Sequence, residues 1–325
     1  MNRFVASVAA ALLGWNAGPA FAQADAARGF PDRPVRLVVP FGAAGVTTAI
    51  ARVVAAKLGE SLGQPVIVEA KPGAQGIIAC EFVQKAAPDG HTLLVGASGP
   101  MAANAAIYAK LPYDPLRDFA PIAVIGTSAY ILVVNATLPA QSVQELIGYA
   151  RGHPNSVNHA ASGSMGQLVA EYFNQQAGTR FAHVPYKSGG EATTALLANE
   201  VTIVFSDPSQ VPGQVRAGKL RALATTSARR LGSWPDLPTM PEAGLPGFAF
   251  ELWIGLVAPA KTPAATVRKL QEETARVLAL PEVRERIEGF GFEPSALAAE
   301  AFAKFLAADI ARLTTVAKTA NIKAD

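Results

Sequence analysis

The sequence has one cysteine, Cys80, in 325 residues, so no disulfide bond can form within a single chain. Charged residues are also scarce, at 16% of the chain, compared with roughly 25% in average soluble domains. Lysine and arginine total 28 against 25 acidic residues, and this small surplus argues against nucleic-acid binding, which needs a dense basic surface. Because 50% of the residues are hydrophobic, we expect a globular protein without long disordered tracts.

The histidines are few and do not have the spacing of metal ligands. No acidic pair, metal-ligand cluster or cofactor lysine stands out elsewhere in the sequence. We therefore expect no metal and no cofactor, and we interpret the chain as a binding protein rather than an enzyme. The histidines are His91, His153, His159 and His183.

The N-terminal residues 1–22 have the three parts of a secretory signal peptide. Arg3 supplies the positive start, a short apolar stretch follows, and the string AFA fits the rule for the cleavage site. The apolar stretch is too short to span a bilayer. We predict cleavage between Ala22 and Gln23 and export to the periplasm. The alternative, a buried N-terminal helix, accounts for fewer of these features.

Short apolar runs alternate with amphipathic segments after residue 30. Runs such as VRLVVPF and HTLLVGA predict buried strands, and the helical spacing between them predicts the helices of an α/β protein. The pattern restarts at the predicted strand ILVVN and ends in a proline-rich loop, residues 233–248. The predicted strand ELWIGLVAP follows, and then three predicted helices over 262–279, 281–289 and 298–319.

The three terminal helices need a partner for their apolar faces, and the first α/β unit supplies one. This gives a discontinuous domain one, residues 31–132 plus 253–325, with domain two inserted as residues 133–252. The chain then crosses between the domains twice, near 122–134 and 251–257, and the two crossings form a hinge. Two α/β lobes, each a mostly parallel sheet flanked by helices, are typical of periplasmic binding proteins that close on a ligand.

Several strings of the sequence resemble one receptor family. FPDRPVRLVVPFGAAG, APDGHTLL, HVPYKSGG and PDLPTMPEAGLPGF have the order and spacing of the Bug-type solute receptors of tripartite tricarboxylate transporters. The resemblance extends over essentially the whole chain after the predicted signal peptide. It implies a two-lobed type II periplasmic-binding fold that holds a small carboxylate, usually an organic acid, between the lobes for uptake or sensing. It also implies a membrane permease of that class as a partner, and we expect the receptor to be a monomer.

In this family most ligand bonds come from two loops, which the resemblance maps onto residues 41–48 and 161–166. Each loop lies between a predicted strand and a predicted helix, so backbone N–H groups and the helix dipole favour a carboxylate without any arginine. The alternative is that the hydroxyls of these loops only cap the helices. The expected ligand-binding residues are Phe41, Gly42, Ala43, Ala44, Gly45, Thr47 and Thr48 in the first loop and Ala161, Ser162, Gly163 and Ser164 in the second.

Two further candidates lie outside these loops. Ser98 follows the predicted strand TLLVGA, where it either lines the cleft or belongs to an ordinary turn. The family usually has aspartate where Thr48 stands, and the loss of that acid favours an uncharged polar or apolar ligand body over an amino acid. Asp207 either replaces the missing acid or only caps the helix that follows it.

The string SGSMG gives an alternative function, because it is one residue short of the G-x-S-x-G elbow of serine hydrolases. A secreted hydrolase would use Ser164 as its nucleophile. Only His183 follows that serine, and the order Ser164, His183, Asp207 differs from the order serine, acid, histidine of hydrolases with this elbow. His183 also lies inside the predicted strand FAHVPY. The receptor interpretation therefore fits the sequence better.

Overall fold

The protein is described by a computed structural model, which covers residues 29–324 apart from Asn155, Ser162 and Lys187. The predicted signal peptide, residues 1–22, and its cleavage site lie outside the described residues. No helix in the described part of the chain is both long enough and apolar enough to cross a membrane.

Strands and helices alternate along most of the chain. The strands are β1 (Val35–Val39), β2 (Val66–Ala70), β3 (Thr92–Ala97), β4 (Phe119–Ala129), β5 (Ile131–Asn135), β6 (Asn158–Ala161), β7 (Ala182–Pro185), β8 (Ile203–Ser206), β9 (Leu220–Thr225), β10 (Glu251–Pro259) and β11 (Glu293–Pro294). The helices are α1 (Val46–Leu62), α2 (Ile77–Gln84), α3 (Asn104–Ile107), α4 (Val143–Gly152), α5 (Gly163–Ala177), α6 (Gly189–Leu197), α7 (Pro212–Arg216), α8 (Ala264–Ala279), α9 (Pro281–Gly289) and α10 (Ala299–Thr319), with a 3-10 turn at Ala74–Gly76 and a π-helical turn at Gly99–Ala103.

The strands form two sheets, one in each lobe. The first sheet has the order β11-β4-β10-β3-β1-β2, and the second has the order β7-β6-β8-β5-β9. The predicted two-lobed α/β fold class is confirmed, but both sheets are mixed rather than mostly parallel. Strand β1 runs parallel to β2 and β3, whereas β10 runs antiparallel to β3 and β4. In the second sheet β5 is likewise antiparallel to β8 and β9. Strands β5 and β10 both belong to the crossings, and each runs opposite to both of its neighbours in its sheet.

Strand β1 of the first sheet is packed on both faces. On one face Leu37 of β1 packs with Ile50 and Leu58 of α1, and on the other Val38 packs with Val83 of α2. Burying a large aliphatic side chain stabilises a fold by about 1.5–3 kcal/mol. The successive apolar residues of β1 therefore hold the strand between two helical layers. The loop that follows the carboxyl end of β1 consequently has a fixed position.

The two crossings pair with each other through β4 and β10, and the buried residue Thr226 bonds to both of them. Its hydroxyl accepts a hydrogen bond from the Tyr130 N–H at 2.9 Å and donates one to the Phe250 carbonyl at 2.7 Å. Tyr130 lies between β4 and β5, and Phe250 directly precedes β10, so Thr226 connects both chain segments that pass between the lobes. The first crossing was expected near residues 122–134, and it comprises the end of β4 and the beginning of β5.

A histidine pair, with His159 buried and His183 half-buried, lies in the second lobe. His159 of β6 and His183 of β7 face each other across a parallel ladder, with ring centroids 4.8 Å apart. Neither ring nitrogen of His159 has a hydrogen-bond partner among the described residues. Burial, followed by the neighbouring His183, lowers the pKa of His159 from its ordinary value of 6.5 to about 3. The folded protein therefore holds His159 in its neutral form.

This pair predicts a pH dependence of stability. Below pH 6.5 the unfolded chain takes up a proton at His159 that the folded chain resists until pH about 3, so the His159 contribution is fully present above pH 6.5 and is lost as the pH falls between these values. The expected slope for one proton is about 1.4 kcal/mol per pH unit.

Urea unfolding of His159→Phe should show a smaller loss of unfolding free energy over this pH range than the wild type. The matched variant His153→Phe, at an exposed position, should keep the wild-type slope. Identical pH profiles for His159→Phe and the wild type would contradict the assignment.

Candidate functional site

A cavity of about 350 Å³ lies between the two lobes. The loops that follow β1 and β3 approach it from one lobe, and the loops that follow β6 and β8 approach it from the other. Ligands of α/β proteins typically bind beyond the carboxyl ends of strands, where such loops meet. The cavity is therefore the candidate functional site.

The structure brings most of the predicted site residues together, but not all of them. Gly42, Ala43 and Ala44 are exposed and do not line the cavity, Ala161 borders a smaller adjoining cavity, and Ser162 lies outside the described residues. The predicted residues that line the main cavity are Phe41, Gly45, Thr47, Ser98, Gly163, Ser164 and Asp207.

Thr48 has a different place from the one expected. Its side chain is fully buried, and its hydroxyl donates a hydrogen bond to the Gly42 carbonyl at 2.9 Å. The Gly45 N–H donates to the same carbonyl at 3.0 Å, and Arg52 donates to the Ala43 carbonyl at 3.0 Å. The carbonyl oxygens of Gly42 and Ala43 therefore accept hydrogen bonds from within the protein. Thr48 supports the loop and does not line the cavity.

The start of α1 is left without a side-chain cap. Its N-cap residue, Gly45, forms no side-chain hydrogen bond, and the first turn contains no acidic residue. By contrast, Ser142 caps α4 and Ser188 caps α6, each with glutamate in the first turn. Uncapped N–H groups at a helix start carry a partial positive charge. The α1 start, bordered by Gly45 and Thr47, can therefore donate hydrogen bonds to an anion in the cavity.

The second loop approaches from the opposite side of the cavity. Gly163 begins α5 with a φ of +71°, which L side chains rarely adopt. A Cβ atom at this position would lie 3.6 Å from the Gln75 side-chain oxygen in the other lobe. The α5 start, like the α1 start, has no acidic residue in its first turn. Two helix starts thus face one cavity from different lobes.

Gln75 was not among the residues predicted from the sequence. It lies in a strained turn, where Ala74 and Gln75 have positive φ values of 45° and 55°. The buried Asn104 donates to the Gln75 carbonyl at 3.0 Å and holds this turn at the rim of the cavity. Consecutive non-glycine residues with positive φ often mark a functional position.

Aromatic side chains form much of the remaining wall, and the largest of them is the indole of Trp253. That indole is almost fully buried, packs edge-on against Phe302 and Phe305, and donates to the Asp309 carboxylate at 2.9 Å. Its N–H is therefore occupied, and the ring contributes an apolar surface. The other aromatic wall residues besides Phe41 are Tyr130, Phe290 and Phe292.

Asp207 is the only charged side chain among the described residues that line the main cavity. Its carboxylate accepts a hydrogen bond from the Gln210 amide at 2.9 Å. The following helix α7 begins after Val211 and has no side-chain cap, so the structure does not show the helix-capping role. Burial raises the pKa of Asp207 above its ordinary value.

The described lining residues do not supply the histidine base that a serine hydrolase would need beside Ser164. None of them is a histidine, and His183 instead packs against His159 in the second sheet. A nucleophilic serine needs a base within hydrogen-bond reach. The arrangement thus gives no support to the hydrolase alternative.

Comparisons with known proteins agree with this architecture. The family described as the tripartite tricarboxylate transporter family receptor matches residues 50–322. The chain is 33% identical to Protein BugT of Bordetella pertussis, over 90% of this chain and 91% of that protein. It is also similar to two solved structures from Rhodopseudomonas palustris. Rpa4515 with adipate has a TM-score of 0.80 and 35% identity, covering 90% of this chain and 99% of that chain. MatC with bound malate has a TM-score of 0.76 and 34% identity, covering 88% of this chain and 99% of that chain.

The chain therefore belongs to the family of tripartite tricarboxylate transporter receptors, and the predicted resemblance to the Bug-type proteins is confirmed. Proteins of this family are solute-binding receptors.

The position of Thr48 predicts an effect on stability. Thr48→Val removes the hydroxyl while keeping the shape of the side chain, and the lost hydrogen bond to Gly42 should lower the unfolding free energy by about 1 kcal/mol. Thr48→Ser keeps the hydroxyl and should lose less. Urea denaturation without ligand measures both. If Thr48→Val is as stable as the wild type, the bond to Gly42 does not support the loop.

Proposed function

We propose that the protein is a periplasmic receptor that captures a small carboxylate between its two lobes. The observation that carries this proposal is the pair of helix starts, α1 and α5, that face one cavity from opposite lobes. The described lining residues include no lysine, arginine or histidine, so the donors for an anion are neutral groups, among them backbone N–H groups and the hydroxyls of Thr47, Ser98 and Ser164. A carboxylate accepts several such hydrogen bonds at once.

The related structures support the same class of ligand. Adipate is bound to Rpa4515 and malate to MatC, and both are small organic acids. The family also supports a role in uptake or sensing with a membrane permease as the partner. Export with cleavage after Ala22 fits this role, and its observable consequence is a periplasmic chain that begins at Gln23.

We further propose that the lobes are the two domains expected from the sequence, residues 31–132 plus 253–325 and residues 133–252, and that the receptor is a monomer. The segregation of β5–β9 into a separate sheet supports this division. Thr226, which bonds to both crossing segments, lies where a hinge between these domains is required.

The proposal predicts different outcomes for two glycine variants. Gly163→Val places a branched side chain at the α5 start, facing the cavity, and should weaken adipate binding at least about tenfold because the carboxylate loses its approach to the backbone. Gly218→Val is the matched control, since Gly218 also has a left-handed φ of +67° but does not line the cavity. Both variants should lose similar stability.

Thermal shift and calorimetry with adipate would measure the difference, with 1,6-hexanediol as the uncharged counterpart. Adipate should raise the melting temperature of the wild type and of Gly218→Val by mass action, whereas hexanediol should not. Equal adipate affinity in the two glycine variants would place the ligand elsewhere.

A further inference from the structure

The environment of Asp207 carries information about the ligand. This carboxylate stands alone as a charge on the described wall of the main cavity, and it also borders a smaller adjoining cavity of about 50 Å³. Its hydrogen bond comes from the neutral amide of Gln210. An ionised carboxylate has about four acceptor sites, so one amide donor leaves most of its hydrogen-bonding capacity for a bound ligand.

A second anion beside Asp207 is electrostatically unfavourable. Like charges repel more strongly in a water-poor cavity than in water, and a buried charge is costly unless it is paired. A dicarboxylate with one end at the helix starts and the other near Asp207 would keep the repulsion and leave the Asp207 charge unpaired. A ligand with a cationic nitrogen near Asp207 would remove the repulsion and pair the charge.

The surrounding aromatic rings favour the same kind of group. Tyr130 borders both cavities together with Asp207, and the Asp207 carboxylate is the second cause, after burial, that raises the pKa of the Tyr130 hydroxyl. Phe290 and Phe292 flank Gly291, whose added Cβ would lie 3.4 Å from Pro208, the residue after Asp207. Aromatic faces attract cations that are positioned over them.

We propose that the ligand is a carboxylate that also carries a cationic nitrogen, with its carboxylate at the starts of α1 and α5 and its nitrogen between Asp207 and the aromatic wall. This inference rests on the proposed carboxylate-binding function and specifies the ligand class of the same site. It replaces the expectation of an uncharged ligand body, which was based on the residue at position 48 alone.

Three ligands of equal chain length test the inference. 6-Aminohexanoate, hexanoate and adipate share one carboxylate and differ at the far end, which is an ammonium group, a methyl group or a second carboxylate. Calorimetry on the wild type at pH 7.5 should give an affinity for 6-aminohexanoate at least about tenfold higher than for adipate or hexanoate, because a charge-assisted hydrogen bond is formed with only one of the three.

Asp207→Asn removes the charge with almost no change of shape and should abolish this preference. Asp236→Asn is the matched control, since it makes the same charge change at an exposed position of the same lobe, and it should keep the preference. Adipate binding as tightly as 6-aminohexanoate, or more tightly, would overturn the inference while leaving the carboxylate function intact. Such a result would mean that Asp207 is protonated and donates to a second carboxylate. If none of the three ligands binds, the carboxylate function itself fails, and the inference fails with it.

Discussion

The first-turn N–H groups of α1 and α5 meet at a cavity whose described lining contains no cationic side chain. Helix starts carry unpaired donors that require a partner, and α4 and α6 obtain one from a serine cap. The α1 start has no such cap, so the proposed anion in the cavity would complete its hydrogen bonding. That anion would then bond to both lobes, because one helix start belongs to each lobe.

The rest of the structure positions these helix starts. Strand β1 is buried between helical layers, and Thr48 and Arg52 secure the loop that follows it. Between the lobes, Thr226 bonds to both crossing segments, and Gln175 of α5 donates to the Val316 carbonyl of α10 at 3.1 Å. The terminal helix therefore packs on both lobes, although the sequence had suggested the first alone.

The alternation of apolar runs and helical spacing was sufficient to predict two α/β lobes, because these are local features, whereas the two loops were located by the resemblance to the receptor family. It did not predict which loop side chains face the cavity. Thr47 and Thr48 are adjacent, but a helix turns by about 100° per residue, so one borders the cavity and the other is buried. Phe290 and Phe292 were missed because their place depends on the close approach of Gly291 to Pro208, which no local pattern shows. Strand β4 was expected only as part of the first crossing, and its bounds were not predicted because its internal Pro121 and Gly126 weaken the strand signal.

The most direct test of the central claim is an amide NMR titration of the folded protein with adipate. Hydrogen bonding of a carboxylate to both helix starts should shift the backbone amide signals of Val46 and Thr47 in one lobe and of Ser164 in the other, with one shared binding curve. Shifts confined to a single lobe, or to residues that do not line the cavity, would contradict an anion held between two helix starts.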